Sequence, residues 1–174
     1  MKKGPRGFSL IELLIVVAII LIIAAIAIPN LLRSRIAANQ ASAVGSLRTL
    51  NTAEVTYSTT YNTGYSATLG DLGPAAPGQN TPTASYAGLV DEVLSGIGTA
   101  GTNNTVLVSS KSGYGFTYAP AAPDSNNKID YYSFTAIPIS AGTTGTNSYY
   151  TDQSGVIRQN STGPAGSSDS PLAG

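Results

Sequence analysis

The sequence predicts an α+β protein: one long N-terminal helix laid against a small antiparallel β-sheet. Three observations carry this expectation. An almost uninterrupted apolar run fills Phe8 to Ile28. A three-and-four spacing of apolar residues resumes after Pro29 and continues to Tyr61. Beyond about residue 104 the pattern changes to short alternating runs separated by Gly, Asn and Asp, which is strand and turn chemistry.

The first element is a membrane-length helix. Phe8 to Ile28 holds 21 residues and a single charge, Glu12. At about 1.5 Å per residue such a helix spans roughly 31 Å, the thickness of a bilayer's hydrocarbon core. Fifteen of the 21 are Leu, Ile, Val or Phe. At about −0.3 to −0.6 kcal/mol each they favour insertion by roughly 4.5 to 9 kcal/mol. An acid at mid-membrane costs about 3 kcal/mol, and Glu12 lies near one end, so insertion wins. Residues 1–7 precede this span as a leader. Lys2, Lys3 and Arg6 keep that end cytoplasmic by the positive-inside rule, although Arg33 and Arg35 weaken the asymmetry. A secretory signal cut after Ala27 is the rival reading. It leaves Glu12 unexplained, and the apolar run is longer than a usual signal core.

The second element continues the first. Pro29 lacks an N–H and its ring opposes the carbonyl of Ala25, so a helix passing through it is expected to kink. Residues 29–62 then read as the amphipathic half of the same helix. Ile36, Gln40, Ala43, Leu47, Leu50, Glu54, Tyr57 and Tyr61 keep one face, with Val44 beside them. Asn62-Thr63-Gly64 ends it.

Residues 63–159 form the predicted globular head. Asp71-Leu72-Gly73-Pro74 through Gly78 is loop by composition. A short amphipathic helix is expected at about 86–97, capped by Ser85, with Asp91 and Glu92 near its start. Three or four antiparallel strands are expected over about 111–158. Tyr114, Phe116 and Tyr118 alternate, Ile129 to Ile139 is β-rich with Pro138 near its end, and Asp152-Gln153-Ser154-Gly155 is a turn between 148–151 and 156–158. Thr105 to Val108 is a weaker strand candidate. Residues 160–174 are Ser, Gly and Pro with little apolar content and read as a flexible tail.

The residues Gly7-Phe8-Ser9-Leu10-Ile11-Glu12-Leu13 resemble the processing and methylation signal of type IV pilins and the related type II secretion pseudopilins. The resemblance implies a pilin-like fold and four residue roles. A prepilin peptidase/methyltransferase would cut between Gly7 and Phe8 and N-methylate Phe8. Glu12 would pair with the freed amino terminus of a neighbouring subunit during assembly. The physics of the pair agrees: a carboxylate in lipid needs a partner, and an amine a few residues away on the same helix cannot reach it, whereas one from an axially shifted copy can. The apolar half of the helix would become the core of a homopolymeric filament after leaving the membrane. Residues 111–114 and 149–158 resemble pilin heads more loosely. Two departures stand out. Many family members have a Gly within the span, ahead of the Pro, and here there is none. Many close a C-terminal loop with a disulfide, and this chain has no Cys, so other contacts, such as tyrosine hydroxyl hydrogen bonds, must hold that edge.

Function classes narrow accordingly. With no His and no Cys, the commonest general base, nucleophile partner and metal ligands are missing, and neither Ser9 nor Ser154 sits in a nucleophile elbow. No enzyme activity, catalytic residue, cofactor or metal is predicted. Asp124 and Asp130 flank Asn126 and Asn127 as a turn rather than a Ca²⁺ loop. Asn103 and Asn160 begin glycosylation triplets of low specificity. Lys and Arg total 9 against 9 Asp and Glu, and loss of Lys2, Lys3 and Arg6 leaves a side-chain charge of −3. That is no footprint for nucleic acid. The expected function is a structural subunit of a type IV pilus, assembled from the bacterial inner membrane by an assembly platform. It would be single-pass with a cytoplasmic N-terminus and an external head, then part of a cell-surface fibre. The alternatives are a pseudopilin of a type II secretion system, in a periplasmic pseudopilus, and a non-polymerising membrane-anchored binding domain.

Overall fold

The structure, a computed structural model, describes residues 7–75, 79, 81–96 and 108–172. The chain divides into two compact units, Met1–Arg35 and Ile36–Gly174. One helix, α1, is assigned from Leu10 to Tyr61 and runs through both.

In the first unit the large apolar side chains of α1 are exposed. Phe8, Leu10, Leu21 and Ile26 are each more than 60% exposed, and the Leu, Ile and Val residues between them are exposed as well. Among the described residues α1 is the one helix long and apolar enough to cross a membrane. Pro29 lies inside it rather than ending it.

In the second unit the predicted helix face is the buried one. Ala43, Val44, Leu47, Leu50, Ala53, Glu54 and Tyr57 face inward, and Ile36, Gln40 and Tyr61 are half-buried on the same stripe. The helix stops where Asn62 and Gly64 adopt positive φ, at 53° and 81°. A single 3-10 turn follows at Leu69–Leu72, closed by a capping box between Thr68 and Asp71.

The second helix is shorter than the sequence suggests. Only Glu92–Ser95 is helical, here α2, and Asp91 rather than Ser85 caps it, accepting from the Leu94 N–H at 2.7 Å. Residues 87–90 are diverted because their N–H groups donate to the carbonyls of Asp71, Leu72 and Gly73, and because Gly88 sits at φ 65°. Ile97 lies outside the described residues. So do 105–107 of the weak strand candidate.

Five strands follow, one or two more than expected: β1 Val108–Lys111, β2 Tyr114–Pro120, β3 Tyr132–Pro138, β4 Ser148–Asp152 and β5 Arg158–Asn160. They form an antiparallel meander in sequence order. Ser112 and Gly113, both at positive φ, make the two-residue turn from β1 to β2. The side-chain period of two sends Tyr114, Phe116 and Tyr118 of β2, with Tyr132, Phe134 and Ala136 of β3, into one core with α1's inward face. The predicted turn at Asp152–Gly155 is present, with the Gly155 N–H donating to the Asp152 carbonyl at 2.9 Å. The sequence underestimates the sheet at its edges: β1 and β5 are short and carry little alternation of their own.

The segment 160–172, read from composition as a flexible tail, is held in place. Asp169 accepts from the Gly166 N–H at 2.7 Å and the Asn160 amide at 3.0 Å, and its carbonyl accepts from the Arg158 guanidinium at 2.9 Å. Gln159 donates to the Ser170 carbonyl and Leu172 to the Ile157 carbonyl, and Ser148 donates to Gly163. Ala165 is buried. These contacts, not tyrosine hydroxyls, hold this edge. The tyrosine hydroxyls tie other parts together: Tyr57 to the Ala84 carbonyl, Tyr132 to Asn51 and Tyr114 to the Asn147 carbonyl.

Candidate functional site

The site singled out by the sequence begins at Gly7, the first described residue. A Cβ added to Gly7 would meet nothing within 4 Å. Neither packing against the described residues nor a positive φ therefore requires glycine there. Phe8 is 80% exposed. Its main chain leads straight into the helix, which starts at Leu10.

Ser9 occupies the position just before α1, and Glu12 lies in the first turn. The Ser9 N–H donates to a Glu12 carboxylate oxygen at 2.9 Å, and the Leu13 N–H donates to the Ser9 carbonyl at 3.2 Å. This is half of a capping box. A carboxylate here also meets the positive end of the helix dipole. The sequence points to Glu12 as a partner for another chain, or as an acid snorkelling to the head groups, and not as a helix cap. The pattern Ser9-Leu10-Ile11-Glu12, a hydroxyl residue three before an acid at the edge of an apolar run, was the signal for this local role. The leader cations Lys2, Lys3 and Arg6 lie outside the described residues.

From Phe8 to Leu32 the site is an uncovered apolar helix surface with a single acid at its beginning. Such a surface can do two things: dissolve in lipid, or bury against identical helices. It holds no nucleophile–base pair.

The other candidates resolve into turn chemistry. Asp124 accepts from the Lys128 and Asn126 N–H groups, both at 2.8 Å, and from the Asn126 amide at 3.2 Å. The Lys128 N–H foremost holds its carboxyl below the usual range. Its oxygens are spent on the loop. Asn160, the start of a glycosylation triplet, has its side-chain oxygen occupied by Thr162 and Gly163 and its amide by Asp169. Asn103 lies outside the described residues.

Comparison with known proteins bears on this same N-terminal segment. Residues 2–28 match the prokaryotic N-terminal methylation motif. Two curated relatives, both type IV pilus components, are similar to part of the chain. The chain is 52% identical over 52 residues to the type IV major pilin protein PilA of Myxococcus xanthus, covering 30% of this chain and 24% of that protein. It is 62% identical over 37 residues to the type IV wide pilus major component PilA4 of Thermus thermophilus, covering 21% of this chain and 28% of the relative. The chain thus matches about a quarter of the length of each. No solved structure matches it significantly. The long apolar helix followed by an antiparallel sheet is the α+β architecture expected of a pilin.

Proposed function

We propose that this chain is a structural subunit of a type IV pilus. The observation that carries the reading is the exposed apolar face of α1 from Phe8 to Leu32, with Glu12 as its only charge, behind a methylation motif. Before assembly the span is dissolved in the inner membrane, with residues 1–7 cytoplasmic. A prepilin peptidase/methyltransferase removes the leader after Gly7 and methylates Phe8. The new amine is cationic below a pKa of about 8. In an incoming subunit Glu12 exchanges its Ser9 N–H for the amine of a neighbour shifted along the fibre axis. Apolar burial at about 25 cal/mol per Å² then holds the subunit.

The contact is heterologous, of the kind that extends into helical filaments rather than closing a ring. Pro29 serves as the point where the helix yields as the span leaves lipid for the fibre. The named relatives are pilus components, which favours a surface pilus over a secretion pseudopilus. Mass spectrometry of the mature protein tests the reading. The expected product begins at Phe8 and carries one methyl group. A product beginning at Met1 or Ile28 overturns it.

A further inference from the structure

A second acid sits deeper than the first and belongs to none of the steps above. Glu54 of α1 is 0% exposed. Its carboxylate accepts the Ser66 N–H at 2.9 Å on one oxygen and the Ser66 hydroxyl at 2.7 Å on the other. Ser66 is also fully buried, and its carbonyl accepts the Tyr118 hydroxyl at 2.7 Å. The Ser66 and Tyr118 hydroxyl oxygens are 3.2 Å apart. The cluster therefore joins the helix, the segment that leaves it and strand β2.

Among the described residues no compensating cation faces this carboxylate. The titratable groups around it are Tyr57 from α1, Asp71 from the 3-10 turn, Tyr118 from β2 and Tyr132 from β3. Among the described residues the one ion pair is Lys111–Asp91. An isolated buried charge is costly even when hydrogen-bonded. The neutral acid carries no such charge, and its extra proton has a place to go: the Ser66 hydroxyl, 2.7 Å away, can accept it and turn its own hydrogen to the Tyr118 hydroxyl at 3.2 Å, which still donates to the Ser66 carbonyl.

We propose that Glu54, Ser66 and Tyr118 form a proton-operated latch, closed when Glu54 is neutral, whose ionisation loosens residues 62–72 from the helix and the sheet. Burial, the largest influence, raises the Glu54 pKa, and the Ser66 hydrogen bonds only partly oppose it. A folded-state pKa above the unfolded one contributes stability that is complete below the unfolded value. That contribution is lost as pH rises through the folded value. Asp71, also raised by burial, acts in the same direction.

Hydrogen exchange of amides 62–72 in the full chain in detergent micelles tests the latch, after correction for the base-catalysed intrinsic rate. Protection is expected to fall as pH rises from acid to neutral, by roughly tenfold for each pH unit between the unfolded and folded titration points. In Glu54→Gln it should stay higher and keep only the residual fall that Asp71 contributes. The same fall in Glu54→Gln, or its disappearance only in Asp71→Asn, overturns the proposal. If Glu54→Gln does not fold, titration of the carboxyl carbon of Glu54 in the unaltered chain decides. A midpoint above that of an ordinary Glu supports the latch, and one at or below it overturns it.

Discussion

Two glycines illustrate opposite demands on a residue. Gly64 has φ 81°, and an added Cβ would lie 2.5 Å from the Ile129 carbonyl oxygen and 2.6 Å from its nitrogen. Both are backbone atoms, and Tyr65 donates to that same carbonyl, so nothing there yields cheaply. Gly64→Ala should destabilise the head by roughly 1–3 kcal/mol, read as a melting point lower by about 2–4 °C for each kcal/mol. Gly7 has open space around it. Gly7→Arg should leave the fold's melting point unchanged and block leader removal, seen as an unshortened chain on mass spectrometry. Glu12→Leu should insert and be processed yet form at least about tenfold fewer fibres, since losing about 1.4 kcal/mol of attraction is a tenfold change in association. Normal fibres from that variant as sole subunit would sink the pairing role. At this scale the sequence was readable where a residue type was improbable in its surroundings. Glu12 in an apolar run stood out. Glu54 did not, because an acid on an amphipathic helix is unremarkable until the sheet and Ser66 close over it.

The elements were legible in proportion to their length and periodicity. α1 repeats its buried face over many turns, so the predicted stripe from Ile36 to Tyr61 is the observed one. β2 and β3 alternate over seven residues each and were equally clear. α2 failed because its flanking residues 87–90 spend their donors on a distant turn, which no local pattern records. The C-terminal segment failed for the same reason: Ser, Gly and Asn suggest disorder by composition, yet their polar groups find partners in β4 and β5. Asp169→Ala removes the acceptor for Gly166 and Asn160 together. That should cost about 1–3 kcal/mol and open the end of the chain locally. Limited proteolysis should then cut within 160–172 faster than in the unaltered protein, while the sheet core stays protected.

Each of the two units is built for a different solvent. The first offers a bare apolar helix surface, and the second buries seven of its twelve aromatic side chains, Phe116 and Phe134 among them. The full chain should therefore require detergent or lipid to remain monomeric, while a chain beginning at Ile36 should run as a monomer in plain buffer on size-exclusion chromatography. Aggregation of the shortened chain would show that the head's surface is itself adhesive. The family resemblance was legible from the N-terminus alone, while the head's particular closure was not. That closure has a chemical consequence. Because Asp169, Asn160 and Arg158 fasten the chain end without sulfur, the head has no oxidation step in its maturation and no bridge for a reductant to cleave. Fibres made of it would hold their shape in sulfidic or oxygen-free surroundings, where cystine-locked subunits are at risk of coming undone.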